Sequence, residues 1–176
     1  MKMLLMLLSF GALAFGHTTT LESGGFGSGF LHPISGLDHI LAMVGVGMVA
    51  FLASNKRGYS LLAAFMGAMM ISAVIGYMGF QFMFVEEGIL LSIAVVFALI
   101  GYANKISFPA IFAIIAFFGM FHGFAHGAEF QTGNFIEYMA GFSVSTFMLH
   151  ISGIALAYAY TKYLERKDSQ VATELA

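Results

Sequence analysis

Phe108-Pro109-Ala110-Ile111-Phe112-Ala113-Ile114-Ile115-Ala116-Phe117-Phe118-Gly119-Met120-Phe121-His122-Gly123-Phe124-Ala125-His126-Gly127-Ala128-Glu129 decides the fold. Its first fourteen residues carry no charge and little polarity. A run of this length suits a helix across a bilayer of about 30 Å. Its last turns then hold two histidines and a carboxylate. These groups are costly at membrane depth, so a chain this apolar carries them for use. His122, His126 and Glu129 fall at i, i+4 and i+7, which puts them on one helical stripe. Gly123 and Gly127 form a small-xxx-small pair that lets another helix approach.

The rest of the chain repeats the apolar theme. Of 176 residues 60% are hydrophobic and only 9% charged, with a mean hydropathy of +0.90. Soluble domains carry about 25% charged residues. The chain therefore reads as an all-α integral membrane protein, a compact bundle with no soluble domain, nucleotide-binding loop or basic nucleic-acid patch. With no cysteine, disulfides, thiolate metal sites and Cys nucleophiles are excluded.

Lys2 and the apolar run Met3 to Phe15 have the form of a secretory signal, with small residues before a cut after Gly16. Residues 1–16 are expected to be removed, leaving His17 at the mature N-terminus, where an α-amine and an imidazole can chelate a metal. Residues 17–30, rich in Gly, Ser and Thr, are expected to form a flexible periplasmic arm. Five spans are then expected within a membrane domain at 31–164: Gly36–Ala53, Tyr59–Phe80, Glu87–Ala103, Phe108–Ala128 and Phe135–Tyr160. Pro33 suits the entry to the first of them. Residues 165–176 read as a frayed cytoplasmic tail. Lys56, Arg57, Lys105, Lys162, Arg166 and Lys167 all fall on one side of this scheme, and Glu22, Glu86, Glu87, Glu129 and Glu137 toward the other. The positive-inside bias gives N-terminus out and C-terminus in, in the inner membrane of a bacterium.

A second polar cluster, His32-Pro33-Ile34-Ser35-Gly36-Leu37-Asp38-His39, opens the first span. His32 and His39, seven residues apart, are expected to share a helical face, with Met43 one turn deeper and Asp38 rotated by about 100°. Both clusters fall in the outer half of the membrane, with Glu86 above them. Imidazole with carboxylate is a ligand set for Zn, Ni, Cu, Co or Fe, and affinity alone does not choose among these metals. Asp38 and Glu129 read as ligands or as acceptors that fix the histidine tautomers. His150 reads chiefly as a hydrogen-bonded contact between helices, with Met43 and His150 as the deeper relay candidates. Glu86 and His17 are further candidates.

At these residues the chain resembles the HupE/UreJ family of nickel permeases, found beside hydrogenase and urease maturation genes. The likeness begins at His17-Thr18, runs through Gly29-Phe30-Leu31-His32 to Gly45-Val46-Gly47, and resumes at His122 to Glu129. The resemblance implies that His32, Asp38, His39, His126 and Glu129 are functional, with His122 in support. It also implies nickel as cargo, with cobalt for some members, moving from periplasm to cytoplasm to supply metalloenzyme maturation. The transported ion and the lipid bilayer are then the partners, with no prosthetic group, and a homo-oligomer is left open. The rival from another class is an intramembrane metal-dependent hydrolase, in which Glu129 activates water. A haem protein with two axial histidines is a third.

Overall fold

The computed structural model describes residues 24–53, 57–80 and 82–174. The expected signal segment, its cleavage point and His17 lie outside the described residues. Six α-helices follow one another: α1 (Phe26–Ser35), α2 (Leu37–Leu52), α3 (Ser60–Tyr77), α4 (Val85–Tyr102), α5 (Phe108–Glu129) and α6 (Phe135–Glu174), with a 3₁₀ turn at Ala103–Lys105. Among the described residues, four segments are long and apolar enough to cross a membrane: α3, α4 with its 3₁₀ turn, α5 and α6. The count reaches five only if α1 and α2, bent by 85° at their junction, are taken together as one broken span.

This bend corrects the expected first span. Alone, the 16 residues of α2 extend only about 24 Å. Pro33 sits inside α1, not at the entry to a span. It removes the N–H that would serve the Gly29 carbonyl. The helix stops two residues later, and Gly36 takes an extended conformation (φ −111°, ψ 128°). Of the arm expected at 17–30, the part from Phe26 onward is helical and belongs to α1, while residues 17–23 lie outside the described residues. Ser28 Oγ accepts from the Gly25 N–H and donates to the Gly25 carbonyl, which closes the first turn of α1. The start of the described chain is pinned further by Asn134, whose N–H donates to the Gly24 carbonyl at 2.6 Å.

At the other end, α6 continues to Glu174, so the segment expected to fray from 165 is helical. Lys162 Nζ and Glu165 Oε2, 2.7 Å apart, form an exposed ion pair on it. At the start of α6, Asn134 Oδ1 accepts from the N–H groups of Ile136 and Glu137, an N-cap that satisfies two donors with no intrahelical partner.

Helix directions follow from who meets whom. A Cβ on Gly119, Gly123 or Gly127 of α5 would collide with the backbone of Phe65, Met69 or Ala73 of α3, in that order. Both series ascend, so α3 and α5 run parallel in backbone contact. The small-xxx-small pair thus faces α3, as its spacing suggested. On the other pair, Gly47 meets His150 and Gly153, and Gly153 meets Val44 and Met48, while further along both helices Phe51 meets Tyr158 edge-on, so α2 and α6 are parallel. Gly29 of α1 lies on the Tyr138 carbonyl, and Gly141 of α6 on that of Phe26. Each histidine-bearing helix is therefore drawn close to a neighbour through a glycine, the packing rule for helices in lipid. Between them lies a core of Met43, Val46, Leu61, Phe65, Met69, Val96, Ile115 and Phe142.

Candidate functional site

Three helices deliver one imidazole each to a single point. His32 comes from the last turn of α1, His39 from the first turn of α2, and His126 from the last turn of α5. One ring nitrogen from each lies within 4.8 Å of the others. His39 Nε2 and His126 Nε2 are 2.8 Å apart. The His32 ring stands edge-on to both, with centroids 4.6 Å from His126 and 5.6 Å from His39. His32 and His39 do not share a helical face as their spacing suggested. They meet across the bend at Gly36, which folds α1 back over the start of α2.

The carboxylates stand behind the imidazoles. Asp38 Oδ1 is 3.0 Å from His39 Nδ1, and Glu129 Oε2 is 3.9 Å from His126 Nδ1. A proton on His39 Nδ1 donated to Asp38 leaves His39 Nε2 as an acceptor, so His126 Nε2 carries the proton between the two rings. This assignment comes from the hydrogen-bond pattern. A cation taking both Nε2 lone pairs requires that His126 move its proton to Nδ1, the side where Glu129 lies. Gly36 belongs to the same device. A Cβ there would lie 2.5 Å from Asp38 Oδ1 and 3.1 Å from His39 Nδ1.

Burial grades across the cluster. His39 and His126 are each 1% exposed, whereas His32 and Asp38 are half-buried and Glu129 is exposed. The cluster thus has an exposed side, where the carboxylates lie, and a buried side. Such a donor set suits a first-row transition ion.

The remaining candidates sort by depth. His122 lies one turn below His126 and is fully buried, but it stands outside the three-imidazole group. Its Nε2 is 3.1 Å from Ser92 Oγ of α4. Because that hydroxyl donates to the Ile89 carbonyl, His122 Nε2–H is the donor. Met43, also fully buried, lies one turn below His39. His150 is fully buried on α6, and neither of its ring nitrogens has a hydrogen-bond partner among the described residues. The hydrogen-bonded contact expected at His150 is therefore not found among the described residues. Glu86 is exposed in the first turn of α4, apart from the imidazole group.

Three contributors escaped sequence reading. Phe142 of α6 packs its ring 4.4 Å from that of His126 and 6.0 Å from His32. Tyr138, one turn earlier, lies 6.2 Å from His32. Ser92 orients His122. An aromatic residue in an apolar span gives no signal of its own. Ser92, a hydroxyl amid Ile, Leu and Val, gave a weak one.

A bundle of apolar helices with three converging imidazoles defines a multi-pass membrane protein with a histidine cluster whose geometry could hold a metal ion. The sequence profile of the family described as HupE / UreJ protein matches residues 4–175, and the chain belongs to that family. A relative, Protein HupE of Rhizobium leguminosarum bv. viciae, is 38% identical over 138 residues, covering 78% of this chain and 72% of the relative. No solved structure matches.

Proposed function

We propose that the protein is a permease for a divalent transition metal, nickel first and cobalt second, carrying the ion from periplasm to cytoplasm. Membership of a transporter-type family supports transport over catalysis, and the hydrolase reading gains no support from it. The observation that carries the metal reading is the convergence of His32, His39 and His126 from three separate helices. Ordinary packing gives no reason to gather three imidazoles in a dry site.

On this reading Asp38 and Glu129 draw the hydrated ion in and offset its charge. His32, His39 and His126 then replace its water. A bare divalent ion cannot enter hydrocarbon without such replacement, since the cost of desolvating it runs to tens of kcal/mol. Asp38 holds His39 in the tautomer that presents Nε2, and Glu129 receives the His126 proton. An inside-negative potential favours entry by about 2.3 kcal/mol per charge per 100 mV, or about 4.6 for a divalent ion. The positively charged loops supply the orientation.

The test is uptake of nickel and cobalt into proteoliposomes with and without an imposed potential. His126→Ala is expected to abolish uptake. Uptake that survives loss of both His39 and His126 rejects the reading.

A further inference from the structure

Below the three imidazoles lies a second set of polar groups. His122 Nδ1, Ser145 Oγ, Thr146 Oγ1 and both nitrogens of His150 are buried without a hydrogen-bond partner among the described residues. All four residues are 0% exposed. A buried polar atom left unsatisfied costs about 1–3 kcal/mol, and native proteins keep few of them. Several on facing helices within a few turns call for a ligand.

Their placement traces a line. Phe142, Thr146 and His150 follow at i, i+4 and i+8 on one buried stripe of α6. Phe142 touches the upper site through His126. His150 lies about 12 Å further along the helix axis, with Thr146 halfway. On α5, His122 occupies the turn below His126, its ring 5.5 Å from His39. The rings of His122 and His150 both contact Phe65, each with centroids 5.4 Å away. The path thus descends from the upper imidazoles past His122 to Thr146 and His150. His150 sits near mid-depth in a layer of about 30 Å.

We propose that His150, with the Thr146 hydroxyl, is a second cation station inside the membrane, reached from the upper site past His122. It takes a divalent transition ion that keeps part of its water. A single neutral imidazole and a hydroxyl bind more weakly than three imidazoles backed by carboxylates. A weak inner stop gives an ion that must leave a place to go, as conduction through successive sites requires. The chemistry at His150 is ready for this: a neutral ring always offers one lone pair, and no donor among the described residues occupies it. This inference rests on the permease reading and extends it inward.

Cobalt(II) and thiolate make the test direct, because the chain has no cysteine. In full-length protein in detergent, His150→Cys exposed to cobalt is expected to show a near-ultraviolet thiolate-to-cobalt charge-transfer band, which wild type cannot give. Thr146→Cys provides the same readout one turn higher if His150→Cys fails to fold. His150→Leu, which removes the ligand and keeps apolar bulk, is expected to lower cobalt uptake about tenfold or more, while the visible ligand-field bands of cobalt at the upper site persist. If those bands persist and neither cysteine variant shows charge transfer, the inner station is wrong and the upper site stands. Wild-type uptake by His150→Leu likewise overturns it. Absence of any cobalt bands in wild type overturns both readings.

Discussion

At the scale of single residues, the proposed cation site depends on side chains beyond the three imidazoles. Asp38 fixes which nitrogen of His39 is protonated, and such partners typically carry 10–100-fold in metal affinity. Asp38→Asn, close in shape but uncharged, is therefore expected to weaken nickel binding by roughly that factor, as read by calorimetry on the purified protein. Wild-type affinity in that variant would remove Asp38 from the device. Gly36 is a sharper case. Its backbone is extended and open to most residues, yet a methyl group would press on Asp38 Oδ1 and His39 Nδ1. Gly36→Ala is expected to reduce binding as Asp38→Asn does while leaving the helical circular dichroism unchanged. Each proton competes with the cation for an imidazole lone pair. Binding is thus expected to fall as pH is lowered and to recover on raising it, in a titration of the wild type.

At the scale of elements, helix contacts decide where the imidazoles stand. Gly123 and Gly127 let α5 lie on the backbone of α3 at Met69 and Ala73. A side chain at either position must push the helices apart, and overpacking of this kind costs about 1–3 kcal/mol. Gly127→Val is expected to lower the thermal unfolding midpoint in detergent and to weaken metal binding together, since His126 is its neighbour. Gly67 of α3 is the control. A Cβ there meets nothing within 4 Å, so Gly67→Ala is expected to leave both unchanged. The bent pair shows the limit of reading elements from periodicity. Pro33 and Gly36 were visible as punctuation, but a helical count across them placed His32 and His39 on one face. The real helix breaks between them, and the two rings meet by folding back.

At the scale of the whole molecule, five apolar stretches and the distribution of Lys and Arg were enough to read a multi-pass helical protein. Four of the stretches are helices long and apolar enough to span by themselves. The fifth is short and does so only if taken together with α1. The 40 residues of α6 reach about 60 Å, twice the hydrocarbon thickness, so its charged end, Lys162 to Lys167, projects beyond the membrane. With the proposed orientation, a cysteine at Ser169 is expected to react with a membrane-impermeant maleimide only from the cytoplasmic side. Labelling in intact cells from outside would reverse the topology and the direction of transport.

The sequence by itself determined the class of fold and the residues worth watching, because burying charge in lipid is so costly that each intramembrane His, Asp or Glu stands out against its surroundings. It also determined the small-residue pair on α5, because only glycines allow backbones to touch. Only the tertiary structure decided which imidazoles share a point. His122 had the better spacing with His126, yet His32, 94 positions away in the chain, is the partner. The backbone turn at Gly36 and the crossing of α1 over α6 bring it there. Tertiary structure likewise withdrew, among the described residues, the hydrogen bond expected at His150, since a bond between helices depends on what the facing helix presents, and local spacing carries no record of that.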